Sequence, residues 1–542
     1  MNFLLYILLT SSVLNMPVDY TSISKNLNSN ETSIEELSNN EILVTLSEEE
    51  SKKWIEYSPE DFAEVNCVLI EDLTASFHPN SNSLVTSDEL ENFNRILKLE
   101  IDDEINNEML EQLENRNDIL AAEPNYELEL IYEPQTEVSS YTMMDLDEED
   151  DRFWGQGKIN LDAAHSFLKT YVPAWEYSQT KVLIPELDIN DDHHSFAQSN
   201  LYVVNNMSSA GILGISHGTS VAGILVGKSF SISDTDYEYS SFNPNMEATI
   251  YRYDFHVSGG AGTDSHLINA SQISQIFTYA SNKNFDIVNC SFNFKASELP
   301  YSDDNNDGEN DNFMSIREAI DNFPGLVICG SGNGNVDLGT NSYNADLNPV
   351  YPAGFDLDNI ISVGAIDEND DPMETDDGMT SYFGATSVDV FAPGQNIYVP
   401  IYREYGLDWI FGYENGTSFA APFVTGIASL IYSLKQDDDC RSIYPSKVKE
   451  IIMSTVTQTS SLQGKCVSGG YINAYDAIEA AYYEFIVSID RYEYYNDTHH
   501  SVVMTYGPSH LEEHDWIPYF PSKAINLPLY FICSKCGAQK MN

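Results

Sequence analysis

Three short stretches hold residue types capable of nucleophilic chemistry, each beside small residues at the start of a helical run. In His217-Gly218-Thr219-Ser220-Val221-Ala222-Gly223 the imidazole precedes an apolar helical face made by Val221, Ile224 and Leu225. His217 can act as a general base. In Asn415-Gly416-Thr417-Ser418-Phe419-Ala420-Ala421-Pro422 the glycine permits a tight turn, and Pro422 suits the first turn of a helix running to about Leu434. Ser418 would stand at the positive end of that helix, where the dipole and free amides favour a developing negative charge. In Gly330-Ser331-Gly332-Asn333-Gly334, after the strand candidate Leu326 to Cys329, glycines on both sides let Asn333 point its amide into a cleft. A donor placed there would complete an oxyanion hole.

These groups are distant along the chain, so a fold must bring them together. From Phe153 to Ala480 short apolar segments alternate with helical runs. Val182 to Ile184, Ala248 to Tyr253, Ile287 to Cys290, Leu326 to Cys329 and Ile360 to Val363 read as strands, with helices at Leu267 to Ala280 and Met314 to Ile320. Such alternation predicts an α/β domain over residues 153–484, a mostly parallel sheet flanked by helices, with reactive groups at strand ends and loops. A small α+β module over residues 41–132 precedes it, with strands at Glu41 to Leu46 and Ile96 to Ile101, a helix at Asn107 to Asn115 and an extended segment within Ile119 to Ile131.

The remaining segments carry no core pattern. The apolar run Phe3 to Leu9 reads as part of a signal peptide over residues 1–16, which predicts a secreted or vesicular protein. Residues 17–40 form a polar, acidic linker and residues 133–152 an exposed, cleavable acidic one. Residues 485–542 are aromatic-rich without assignable fold. The 542 residues carry 85 acidic and 25 basic side chains, a formal charge of −60 at pH 7. That charge excludes a nucleic-acid partner, because counterion-release binding needs clustered Lys and Arg. No later segment reaches about 18 apolar residues, so no stable membrane span is expected.

The three stretches resemble the signatures of the subtilisin-like serine proteases, the subtilase family. His217 to Gly223 resembles the histidine signature, Gly416 to Pro422 the serine signature and Ser331 to Gly334 the oxyanion asparagine strand. Asp286 to Phe292, Tyr351 to Gly354, Asp389 to Gly394 and Gly470 to Asn473 resemble further family segments, and residues 41–132 are similar to the family's inhibitory propeptide. The resemblance implies a serine endopeptidase that transfers an acyl group to water and is made as a self-inhibited zymogen. Ser418 would attack, His217 would carry the proton and Asn333 would hold the oxyanion. The partners implied are polypeptide substrates and the chain's own propeptide. No cofactor or catalytic metal is required, and structural calcium is compatible with the family.

Order along the chain places the orienting carboxylate at Asp188, with Asp191 and Asp192 as alternatives and Asn190 where the family has a left-handed glycine. Pro185 and Glu186 fit poorly, since a central strand offers proline no natural place and would bury Glu186 unpaired. Substrate would pair between Ser291, Phe292 and Asn293 on one edge and Val257, Ser258, Gly259 and Gly260 on the other. The propeptide end near Leu130 to Tyr132 predicts an apolar or aromatic preference.

Other motifs compete. Gly214-Ile215-Ser216-His217-Gly218 satisfies a nucleophile-elbow pattern with Ser216 as nucleophile. His510 to His514, with Cys533 and Cys536 downstream, has zinc-like spacing, read as a solvated helix face with a local disulfide or free thiols. Asp303 to Gly308 has calcium-loop spacing without the closing glutamate. Cys440 and Cys466 are a candidate surface disulfide, while Cys290 and Cys329 read as buried thiols. A catalytically weak binding protein on the same fold is the alternative function.

Overall fold

A computed structural model of the chain describes residues 40–77, 93–130, 151–172, 179–204 apart from 198, 212–227, 242–243, 246–252, 256–258, 265–294, 313–402, 411–434 and 443–486, and short strands between 489 and 541. Residues 1–39, the expected signal and most of the linker after it, lie outside the described residues, as do 131–150.

The N-terminal part is a four-stranded antiparallel sheet of β1 (Glu41–Leu46), β2 (Cys67–Asp72), β3 (Ile96–Ile101) and β4 (Ile119–Pro124), in the order β2-β3-β1-β4. The short helix α1 (Glu48–Ser51) follows β1, and α2 (Asn107–Glu114) packs on β4. Ile42, Val44, Leu97, Leu99 and Leu113 share one buried apolar cluster, as strand alternation requires. The strand β5 (Glu127–Glu129) then leaves this sheet for another.

The larger part follows with α3 (Trp154–Lys158), α4 (Leu161–Tyr171), β6 (Thr180–Glu186), β7 (Leu201–Val204), α5 (Ile212–Val226) and β8 (Met246–Arg252). Next come β9 (His256–Ser258), β10 (Ser265–Asn269), α6 (Ala270–Asn282), β11 (Ile287–Cys290), α7 (Met314–Asp321), β12 (Leu326–Gly330) and β13 (Asn333–Asn335). The core closes with β14 (Ile360–Ile366), β15 (Met379–Ser381), β16 (Val390–Pro393), β17 (Ile397–Pro400), β18 (Phe411–Glu414), α8 (Thr417–Tyr432), α9 (Pro445–Ser454), β19 (Thr457–Gln458), β20 (Gly470–Tyr471) and α10 (Ala474–Ala481).

Nine strands form one sheet in the order β19-β20-β16-β14-β12-β11-β6-β8-β7, and every pairing from β20 to β7 is parallel. This is the expected mostly parallel sheet. Two apolar clusters cover its faces. Val182, Ile184, Val221, Leu225, Phe423 and Ile427 lie on the α5 and α8 side, and Leu183, Val288, Ile273, Phe277 and Ile316 on the α6 and α7 side. Strands buried on both faces need continuous apolar runs, and β12 and β14 have them.

Two expectations shift. The segment Leu267 to Ala280 is not one helix, because Asn269 caps α6 with Gln272 and the residues before it pair as β10. Residues 485–542 include β21 (Ile489–Tyr494), β22 (His499–Met504), β23 (His510–Glu513), β24 (Trp516–Tyr519), β25 (Tyr530–Cys533) and β26 (Gln539–Met541), arranged as two three-stranded antiparallel sheets.

Candidate active site

The site is built where β6 ends. Side chains alternate along a strand, so Val182, Ile184 and Glu186 share one face. The first two sit in the apolar cluster with Val221 and Leu225 of α5. Glu186 continues that row and meets the same helix one turn earlier. Its carboxylate oxygens lie 3.0 and 3.1 Å from His217 Nδ1. Glu186 and His217 are 0% and 3% exposed, so this is a buried pair. With Nδ1–H donating to an ionised carboxylate, Nε2 is the nitrogen that can exchange a proton with a hydroxyl.

Asp188, expected to orient the imidazole, is placed otherwise. Its Oδ1 accepts from the Ile189 amide at 2.8 Å and lies 2.7 Å from Arg252 Nε. The reason is where the strand stops: β6 ends at Glu186, and Asp188 lies two residues beyond it, in the loop. Asp191 and Asp192 are exposed on the following turn. Asn190 is absent from the positive-φ residues and instead donates its amide to Thr219 Oγ1 at 2.9 Å. Pro185 is tolerated because β11 pairs only with Val182 and Leu183, which leaves β8 as the neighbour at Pro185. The alternation of Val182, Ile184 and Glu186 is the sequence signal that would have found the carboxylate.

Ser418 lies at the start of α8, after Gly416 with φ 145°, a conformation that side-chain-bearing residues rarely adopt. Its Oγ donates to Ser291 O at 2.9 Å, and Ser291 Oγ donates back to Ser418 O at 2.8 Å. Asn289 ties the same elements together, donating to Ser291 Oγ at 2.9 Å and accepting from Thr425 Oγ1 at 2.8 Å. Asn333 begins β13, held by β15, and its Oδ1 accepts from the Thr417 amide at 3.0 Å. The carboxamide's acceptor end is thus used beside Ser418, and its Nδ2 is the end that can donate to an oxyanion. Helices α5 and α8 pack together, and the His217 ring centroid lies 5.6 Å from that of Phe419, the residue after Ser418. Base, hydroxyl and amide therefore come from adjoining elements.

Gly218 explains how closely α5 approaches. A Cβ there would meet Asp188 O at 2.2 Å. Only glycine lets the helix carrying His217 sit this near the end of β6.

The expected substrate residues are distributed as follows. Ser291 and Asn293 are buried, and Asn293 Nδ2 donates to Gly330 O at 2.8 Å. The Phe292 side chain is in the core. Ser258 ends β9, whereas Gly259 and Gly260 lie outside the described residues. In this structure the strand that receives an extended segment is β10: β9 pairs with one edge and β5 with the other. Leu128 and Leu130 enter the apolar cluster of Leu187, Ile268 and Phe292.

The competing motifs fare differently. Ser216 lies inside α5 and accepts from the Tyr402 amide at 3.4 Å, not on a strand-to-helix elbow. His510 to Glu513 is strand β23 rather than a helix face, while His514, Cys536 and Asp303 to Gly308 lie outside the described residues. Among the described residues no group of His, Cys, Asp and Glu is arranged to hold a metal ion. Cys466 is a buried free thiol near Ser468 and Gly470 O rather than a surface half-cystine, and Cys440 is outside the described residues. Cys290 and Cys329 are buried free thiols, as expected.

A buried carboxylate–imidazole pair, a helix-start serine and an asparagine amide on a doubly covered parallel sheet define a class of α/β proteins with a serine-based site. The chain belongs to the subtilase family, peptidase S8, whose signature matches residues 114–471. It is similar to subtilisin-like protease 3 of Plasmodium falciparum (isolate 3D7), 31% identical over 222 residues that cover 39% of this chain and 26% of the relative. Subtilisin-like protease 1 of Plasmodium berghei (strain Anka) is 27% identical over 307 residues, covering 54% and 44%. The chain thus spans less than half the length of either relative. Among solved structures, MycP1 from Mycobacterium smegmatis aligns at 21% identity with a TM-score of 0.44, covering 62% of this chain and 86% of that one.

Proposed function

We propose that this chain is a secreted serine endopeptidase made as a self-inhibited precursor. The observation that carries the reading is the Glu186–His217 pair set beside the helix that begins at Ser418. In the proposed reaction His217 Nε2 takes the Ser418 proton as Oγ attacks the scissile carbonyl. Glu186 holds the ring and stabilises the imidazolium. The Asn333 amide and the α8 N-terminus receive the oxyanion. His217 then gives the proton to the leaving amine, and water resolves the acyl-enzyme by the reverse path. No cofactor enters.

Residues 41–132 act as the intramolecular inhibitor in this reading. Its support is the pairing of β5 with β10 and the burial of Leu128 and Leu130. Leu128 in β5 and Leu130 just after it, two residues apart and both buried, favour substrates with aliphatic side chains at the matching positions. Ile131 and Tyr132, the expected cut region, lie outside the described residues, so the test is N-terminal sequencing of the mature form. A new N-terminus after a charged residue would remove the preference. Secretion rests on the Phe3 to Leu9 run alone. The binding-protein alternative loses its motive, because Glu186 is not an unpaired buried charge.

The activity itself is tested by cleavage of an unstructured protein by wild-type chain and by S418A and S216A. Loss in S418A with retention in S216A supports the peptidase. Turnover by S418A would end it.

A further inference from the structure

Arg252 ends β8 directly opposite Glu186 in the parallel register, so both side chains leave the sheet on the α5 face. Its Nε lies 2.7 Å from Asp188 Oδ1, and its Nη2 donates to Ile189 O at 3.5 Å. The Asp188 and Arg252 side chains are 8% and 15% exposed. The same short loop grips α5 twice more, through Asp188 O against Gly218 and through the Asn190 amide on Thr219 Oγ1. Resting on the peptidase reading, we infer that Asp188 and Arg252 form a positioning pair for that site, keeping Glu186 committed to His217 and holding the charge around the imidazole at that of one carboxylate.

The argument is electrostatic. Glu186 and Asp188 bring two negative charges to the end of β6, and Arg252 brings one positive charge beside them. A lone guanidinium opposite Glu186 would compete with the imidazole for its oxygens. A lone second carboxylate would overstabilise the imidazolium and leave a poorer general base at low pH. Other titratable groups on described elements packed against α5 include His193 and His194 after the loop, Tyr251 beside Arg252 on β8, and Lys181 and Glu247 at the far ends of β6 and β8. His193 Nδ1 is engaged by Ser195 Oγ at 2.8 Å. The remaining neighbours, α8 and β17, bring no Asp, Glu, Lys, Arg or His, and the ionisable side chain of β17 is Tyr398.

The test is the acid limb of the kcat/KM profile, which reports the base in the free enzyme. In D188N the freed guanidinium moves the limb to lower pH by about one unit, and kcat falls by up to about 10²-fold through the misplaced ring. In R252M the limb moves to higher pH. The double variant D188N/R252M brings it back toward the wild-type position. Limb position is read from relative rates, so a partly folded variant still reports it. Single variants that leave the limb in place, or shift it in one common direction, overturn the inference. If neither single variant turns over, recovery in the double variant supports it and continued inactivity overturns it. Turnover by S418A would instead remove the peptidase reading itself, whatever the limbs do.

Discussion

A glutamate carboxylate reaches one C–C bond, about 1.5 Å, farther from the backbone than an aspartate's. At the last inward position of β6 that reach brings both oxygens to His217 Nδ1. Glu186→Gln keeps the shape but presents an amide that no longer fixes the tautomer, and kcat is expected to fall by about 10⁴-fold. Glu186→Asp keeps the charge and loses the reach, with an expected loss of about 10²-fold. Steady-state kinetics on one peptide checks both, and equal rates for E186Q and wild type would contradict the assignment. Gly218→Ala forces a methyl against Asp188 O at 2.2 Å. It should cost about 1–3 kcal/mol of stability, read from the urea midpoint.

Between elements, the N-terminal sheet reaches the main fold through helix starts. Glu123 accepts from the Phe313 amide at 2.7 Å and from Ser315 at 2.9 Å, at the start of α7. Asn125 Oδ1 accepts from the Ser271 amide at 2.9 Å, at the start of α6. These amides lack partners inside their helices, so side chains from another unit satisfy them. Burial pushes the Glu123 carboxyl up, outweighing the pull of the donors at Ser315 and Phe313. Glu318, which accepts from Asn94 Nδ2 at 2.8 Å, is likewise raised by burial. A carboxyl raised in the folded state contributes most below its unfolded value, and that contribution is lost as pH rises through the raised one. The urea midpoint of the S418A chain should therefore fall as pH rises from the ordinary carboxyl range toward neutrality, with a shallower slope in S418A/E123Q. Equal slopes would contradict this.

The same scale shows what the sequence made legible. Glu41 to Leu46, Ile96 to Ile101 and Ile287 to Cys290 matched strands because their alternation or continuous apolarity reports burial directly. Cys67 to Asp72 was missed because it is an edge strand with Val68 and Leu69 exposed. The helix start at Ser418 was visible in the local glycine and small-residue pattern, whereas His217, read as a helix start, lies inside α5, which begins at Ile212. The partner of His217 was not visible, because Pro185 disguised the end of a strand whose one-sided pairing is a tertiary fact.

At the scale of the whole molecule, the strongly acidic balance, −60 over the full 542-residue chain, governs encounter more than fold. Basic peptides should be attracted at low ionic strength, and screening over about 8–10 Å should remove that advantage near physiological salt. The kcat/KM for a Lys/Arg-rich peptide is thus expected to fall with added salt while that for a neutral peptide of similar apolar content holds steady. Parallel declines would contradict electrostatic steering. The catalytic geometry depends less on this field, since Glu186 and His217 are buried from bulk ions. Its most direct test is the attachment site of a serine-directed phosphonate, mapped by mass spectrometry. A single adduct on Ser418, absent in H217A and strongly reduced in E186Q, is the expected result. An adduct on Ser216, or undiminished labelling of Ser418 in H217A, would contradict it.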